Sequence, residues 1–206
     1  MLFHESVPED HVVAVAKVMV EAKWHTDQVL TKRSDRLREP LNSSLRLAAN
    51  QKHISWGGSV ENRKYGLPRI ENLQAAHAGI RFLSVKPLLE DLGKFNLAGI
   101  DGFTVRGESG YGARPMKKEW VVSLRDECKR EGVPFLFKPS GGVQKKSAGR
   151  KLDGKTYDEF PERICNPVFT ADKCLALASK FQAECRNPDR VGRSTLNSSR
   201  LEPAIF

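Results

Sequence analysis

Hydrophobic positions along the chain alternate between two kinds of pattern. From Pro8 to Lys23 the apolar residues Val12, Val15, Ala16 and Met19 recur at helical spacing, with Pro8 suited to a first turn and Glu9 and Asp10 favoured at its positive end. A brief apolar core at Val29-Leu30 then predicts a strand ending at Thr31. A helix opened by Ser34 and disturbed by Pro40 follows. The stretch HISWGGSVEN reads as a strand, LPRIENLQAAH as a helix and GIRFLSVKP as a strand. LLEDLG reads as helical or irregular, and GIDGFTVRG as a strand. KKEWVVSLRDECKREG is the clearest helix, with Trp120, Val121, Leu124 and Cys128 on one face and Gly132 at its end. VPFLFK is the last strand of the series.

This alternation, with short connections, is the signature of βα units and a parallel sheet. The strands are short apolar runs without clear polar alternation, the pattern expected where both faces are covered. The expected fold is an incomplete parallel βα barrel or open curved sheet of about five units over residues 1–140. Residues 141–206 form a C-terminal extension: a basic loop, a small hairpin around Asp153-Gly154, a helix from Ala171 to Cys185 and a polar tail from Asn187. A missing first strand would leave a sheet edge for the N-terminal helix, a partner chain or self-association to cover.

Composition narrows the class. With 206 residues the chain can bury a full-sized core, and no apolar stretch approaches a bilayer span. The opening MLFHESVPEDH has no secretory pattern, so a cytoplasmic location is expected. Formal charge is +9, with the excess concentrated after residue 100, which favours phosphate-bearing ligands or nucleic acid. The cysteines Cys128, Cys165, Cys174 and Cys185 form no C-x-x-C pair, so neither a zinc site nor a disulfide framework is expected. The histidines are isolated and read as structural.

In parallel βα architectures ligands sit at the carboxyl ends of the strands. The predicted ends here are polar: Lys32-Arg33, Glu61-Asn62, Lys86-Pro87, Glu108-Ser109 and Lys138 onward. The densest is VRGESGYGARPM, Val105 to Met116. It fits neither a Walker A loop nor a nucleophile elbow. Its glycines favour an anion-binding nest, with Glu108 accepting from a ligand and Arg114 pairing with a phosphate or carboxylate; the competing arrangement is a closed Glu108–Arg114 pair. The anion-site candidates are therefore Lys32, Arg33, Glu61, Asn62, Glu108, Ser109, Arg114 and Lys138. Residues 138–155 hold six cations against the single acid Asp153, and Lys145, Lys146, Arg150 and Lys151 are candidates for nucleic-acid contact.

The segments FHESVPEDH, WGGSVENRKYGLPRIENL, RFLSVKPLLEDLG, GESGYGARPMKKEW and GRKLDGKTYDEFP, in that order, resemble the phage gp-thirty-seven/gp-sixty-eight-like family of uncharacterised proteins, related to radical-SAM-type barrels. The resemblance covers roughly residues 2–161. It implies that full-length relatives carry a three-cysteine motif for a 4Fe–4S cluster and bind S-adenosylmethionine. This chain has no counterpart of that motif, so it is expected to be truncated at its N-terminus and to hold no metal or cofactor as it stands. It also departs from the family pattern at Lys86, Arg106 and Pro139-Ser140. The function expected is that of a phage-associated, cluster-less remnant of a radical-SAM-like enzyme that keeps an anion-binding strand-end site. The alternative is a nucleic-acid-associated module using the basic second half.

Overall fold

The computed structural model describes residues 2–139, 141–142, 149–162, 164 and 166–186. The elements run α1 (Glu9–Glu21), β1 (Asp27–Thr31), α2 (Ser34–Asn42), α3 (Arg46–Ala49), β2 (Ile54–Ser59), α4 (Arg63–Gln74), β3 (Arg81–Val85), β4 (Gly102–Val105), α5 (Lys118–Glu131), β5 (Phe135–Phe137), β6 (Lys151–Leu152), β7 (Lys155–Thr156) and α6 (Ala171–Arg186). β1 to β5 form one sheet in strictly sequential order, every pair parallel. The protein is therefore an α/β protein built on a five-stranded parallel sheet. β1 and β5 are its two ends, and among the described residues no pairing closes the sheet on itself.

Sequential order has a consequence for layering. Parallel crossovers are right-handed, so connections that always step to the next strand in the same direction all pass over the same face. That face carries Val29, Trp56, Leu83, Val85, Phe103, Val105, Phe135 and Phe137, all buried. α4 covers its centre through Ile70 and Leu73, and α5 covers its β5 end through Val121, Leu124 and Cys128. The β3–β4 crossover contains no helix; Leu88, Leu92, Leu97 and Ile100 fill the same layer from an irregular chain.

Among the described residues no helix packs on the opposite face of the sheet, which corrects the expectation of strands covered on both sides. β1 shows it most clearly: its burial alternates, and Leu30 is 43% exposed. The apolar runs misled because β2 and β5 are buried on both sides by other means. Phe82 lies across Gly57 of β2, and the chain beyond the hairpin covers β5.

That later chain also occupies the β5 edge. The β6–β7 hairpin turns through Asp153 and Gly154, both with left-handed φ, as the Asp-Gly pair predicts. Asp153 then holds Lys118 and Arg125 of α5. Beyond the hairpin, Phe137 N–H donates to the Tyr157 carbonyl (3.0 Å) and Glu159 N–H to that of Phe135 (3.3 Å). Glu159 also accepts from Phe135 N–H through its carboxylate (3.0 Å). The edge is thus paired within the chain.

α4 begins earlier than its proline suggests. Asn62 caps it by accepting from Tyr65 N–H (2.9 Å), which sets the start at Arg63 and leaves Pro68 inside the helix. Gly66, in its first turns, faces Val60 so closely that a Cβ there would stand 2.4 Å from Val60 Cγ1. Helix propensity favours Gly66→Ala by up to about 1 kcal/mol. Overpacking costs about 1–3 kcal/mol and wins. Gly66→Ala is therefore expected to lower the urea midpoint at unchanged slope; a raised midpoint would show that α4 is free to move off the sheet.

Candidate functional site

Register turns the bare face of the sheet into three rows. Leu30, Gly57, Phe82 and Gly102 lie side by side across β1 to β4. One pleat further toward the carboxyl ends, Ser59, Ser84, Thr104 and Leu136 lie side by side across β2 to β5. Val85, Val105 and Phe137 are also in register, so the next residues, Lys86, Arg106 and Lys138, leave three neighbouring strands together. The ladder continues through them: Arg106 N–H donates to the Val85 carbonyl (3.0 Å) and Lys138 N–H to that of Val105 (2.9 Å). Neighbouring strands are about 4.8 Å apart, so three cations stand abreast.

A cleft of about 300 Å³ runs along this face. Lys86 and Lys138 lie at its mouth, Ser84, Thr104 and Leu136 line its middle row, and Leu30 and Phe82 line the next. Phe160, Pro161 and Ile164 lie at the amino end with Lys52 and Glu162, and a Cβ on Gly102 would meet Pro161 Cγ at 2.9 Å. A shallower recess at the rim joins Lys86 to Arg106, Glu108 and Ser109.

The other cations around the rim are neutralised. Glu61, almost wholly buried, binds Lys32 Nζ (2.9 Å) and Arg69 Nη1 (2.7 Å) and accepts from Ser59 Oγ (2.9 Å). Burial opposes its charge, but the bonds from Lys32, Ser59 and Arg69 outweigh it and hold the carboxyl below its ordinary value of 4.5. Arg33 pairs with Glu5. Asn62 is occupied as the cap of α4.

The glycine-rich loop resolves to the closed arrangement. Arg114 grips Glu108 through Nε (2.8 Å) and Nη2 (2.7 Å), and its own backbone N–H adds a third bond (2.9 Å). Those bonds draw the Glu108 carboxyl down to about 2. The loop is locked to the next strand end as well. Gly142 N–H donates to the Glu108 carbonyl (2.7 Å), and Gly110 and Gly107 N–H to the carbonyls of Gly142 (3.3 Å) and Pro139 (3.4 Å). Gly141 has φ of 90°, and a Cβ there would sit 2.0 Å from the Glu108 carbonyl oxygen, so only glycine fits. The glycines of this motif thus serve a loop-to-loop joint, and Tyr111 projects from its tip into solvent.

Of the predicted residues, Lys138 lines the cleft, and Ser109 accepts from Arg106 Nη2 (3.3 Å) at the rim. Lys32, Arg33, Glu61, Glu108 and Arg114 form a ring of closed ion pairs around it. Among the described residues, the side chains of Lys86, Arg106 and Lys138 have no carboxylate partner, and Arg106 Nε is buried without a hydrogen bond. The sequence marks Lys86 and Arg106 as strand-end residues and as departures from the family pattern, not as site residues; register is what sets them beside Lys138. Arg150 pairs with Asp158 and Lys151 opens β6, while Lys145 and Lys146 lie outside the described residues.

A three-thiolate cluster does not fit the described cysteines. Cys128 is buried on α5, its thiol pushed up to about 12 by burial and by the charges of Glu127 and Glu159. Cys174 Sγ donates to the Phe169 carbonyl (3.8 Å) on α6. Cys165 and the Cys185 side chain lie outside the described residues. Among the described residues no three His, Cys, Asp or Glu side chains gather as a metal site, and no helix is long and apolar enough to cross a membrane.

Fold and cleft together define a one-sided parallel α/β protein with its polar opening at the strand ends. The chain belongs to the family described as protein of unknown function (DUF5131), which matches residues 1–161. That span takes in the whole five-stranded sheet, the hairpin and the strand-end loops. No curated protein and no solved structure matches the chain.

Glu61 organises two cations from two elements, and its charge should show in acid. With its folded value below 4.5, the stability it contributes is complete above that pH and is lost as pH falls through the lower folded value. Glu61→Gln should cost about 1–3 kcal/mol at neutral pH and flatten that part of the acid dependence. Parallel acid-unfolding curves for the two proteins would count against this.

Proposed function

We propose that the chain binds a small phosphate-bearing ligand on the bare face of its sheet, with Lys86 and Lys138 as the charged contacts, Arg106 supporting them, and Ser84 and Thr104 donating hydroxyl hydrogen bonds. One observation carries this reading. Every other rim cation named above has a carboxylate against it, and among the described residues these three, side by side, have none. Like charges on neighbouring strands repel, and an anion between them removes the repulsion. A phosphate, with its two charges and several acceptor oxygens, matches three donors and two hydroxyls better than a carboxylate does.

The same proposal extends to lineage. Sequential parallel strands with every crossover on one face are the order that an arc of a βα barrel would have, and that order is compatible with the resemblance to phage-associated, radical-SAM-like barrel proteins, of which this chain would be a cluster-less relative. Binding rather than redox chemistry is then the activity that remains to it. Iron retained stoichiometrically after anaerobic reconstitution would overturn that reading.

Calorimetry with inorganic phosphate tests the site. Lys86→Gln with Lys138→Gln should weaken binding by about tenfold or more, since charged hydrogen bonds contribute about 1.5–3 kcal/mol each. The melting temperature should stay level or rise, because two mutually repelling charges are gone. Arg114→Ala should leave affinity unchanged. Equal affinity for wild type and the double variant would sink the proposal. Salt-sensitive binding of single-stranded DNA that the double variant leaves intact would instead assign the charge excess to a nucleic acid held elsewhere.

A further inference from the structure

The cleft changes character along its length, and that gradient says more about the ligand than its charge does. At the mouth stand Lys86 and Lys138; one pleat in come Ser84 and Thr104, with Leu136 at the β5 end of the same row; the next row brings Leu30 and Phe82, before Gln28 and Ser55 nearer the amino ends. At the amino end lie Phe160, Pro161 and Ile164, beside Lys52 and Glu162. An inorganic phosphate uses only the mouth and the hydroxyls. It leaves an apolar hollow unfilled, and exposed apolar surface costs about 25 cal/mol per Å².

The hollow is built, since it depends on two residues without side chains. Gly57 and Gly102 flank Phe82 in one row. The tip of the Phe82 ring fills the first position, 2.4 Å from where a Cβ would be, and Pro161 fills the second. Any larger residue at either position would displace these groups into the cleft. Leu30, at the β1 end of the same row, is left 43% exposed facing the hollow.

Resting on the phosphate reading above, we infer that the ligand is an aryl phosphate: a single ring seated on Phe82 and Leu30, with its phosphate at the hydroxyl row of Ser84 and Thr104 beneath the two lysines. The dimensions agree. Two residues along a strand separate the Phe82 row from the Ser84 row, about 7 Å, close to the span from the far ring carbon of an aryl ester to its outer phosphate oxygens. A volume of about 300 Å³ lies at the small end of ligand sites and holds one ring rather than an extended chain. Ring-on-ring contact with Phe82 adds about 0.5–1.5 kcal/mol beyond the area it buries.

The test compares inorganic phosphate, methyl phosphate and phenyl phosphate by calorimetry on the full chain, with phenol as the uncharged probe. Phenyl phosphate is expected to bind about tenfold or more tightly than methyl phosphate, and phenol not to bind. Phe82→Ala should erase the margin of phenyl over methyl phosphate. Because Phe82 packs over Gly57 and its removal threatens the fold, the exposed Leu30→Asn carries the same test. It should cut the margin several-fold and leave inorganic phosphate affinity within about twofold. Equal binding of phenyl and methyl phosphate overturns the ring while leaving the phosphate site standing. Phenol binding as tightly as phenyl phosphate overturns it too, as does a Leu30→Asn loss shared equally by all three phosphates. If no phosphate binds, both readings fall together.

Discussion

The direction of the crossovers governs this molecule. Each connection in the sheet steps to the next strand the same way, and right-handed crossovers then have only one face to occupy. All the helical packing accumulates there, on Trp56, Leu83, Val85, Phe103 and Val105. The other face has to be solved residue by residue, without a helix to cover it. The chain solves it three ways: with hydroxyls on Ser55, Ser59, Ser84 and Thr104, with glycine at 57 and 102, and with a later segment laid across the amino end. The cleft is what those three solutions leave open at the carboxyl end.

The same logic explains why the extension after β5 belongs to the architecture. An open parallel sheet has two unpaired edges, and such edges invite pairing with other chains. The β6–β7 hairpin, tied to α5 through Asp153, delivers Tyr157 to Glu159 onto the β5 edge and then Phe160 and Pro161 under the cleft. Tyr157 also meets the Phe135 ring edge-on at 5.8 Å. One excursion of the chain thus protects an edge and closes a pocket. The family match running to residue 161 ends where that excursion does.

Much of this was legible in the chain. The five strands, the helices between them and the Asp-Gly hairpin follow from periodicity and turn chemistry, because local pattern and tertiary fold agree there. The bare face was not legible. β2 reads as a solid apolar run, and only cross-strand register reveals that its Gly57 lies beneath a ring from β3. The site was half legible for a related reason. Residue type picks out Glu61, Glu108 and Arg114, yet charged residues of opposite sign placed near each other satisfy one another. Lys86 and Arg106 were legible as polar strand ends but not as contacts, since their meaning lies in being abreast with Lys138 across three strands far apart in the chain.

Electrostatic balance therefore separates scaffold from site. Around the rim, Glu5, Glu61 and Glu108 are each engaged by at least one cation, and the Glu61 and Glu108 carboxyls are lowered in consequence. Such pairs hold loops in place; Glu108–Arg114 fixes the backbone of 107–110 against Gly141 and Gly142, which sets the rim beside Arg106. A cation already bound in two places by a carboxylate has little left to offer a ligand. Three adjacent cations without such partners have a repulsion to relieve, and an anion that relieves it binds with that energy in addition to its own hydrogen bonds. The closed pairs and the open triad are parts of one arrangement, in which the first keeps the second in position.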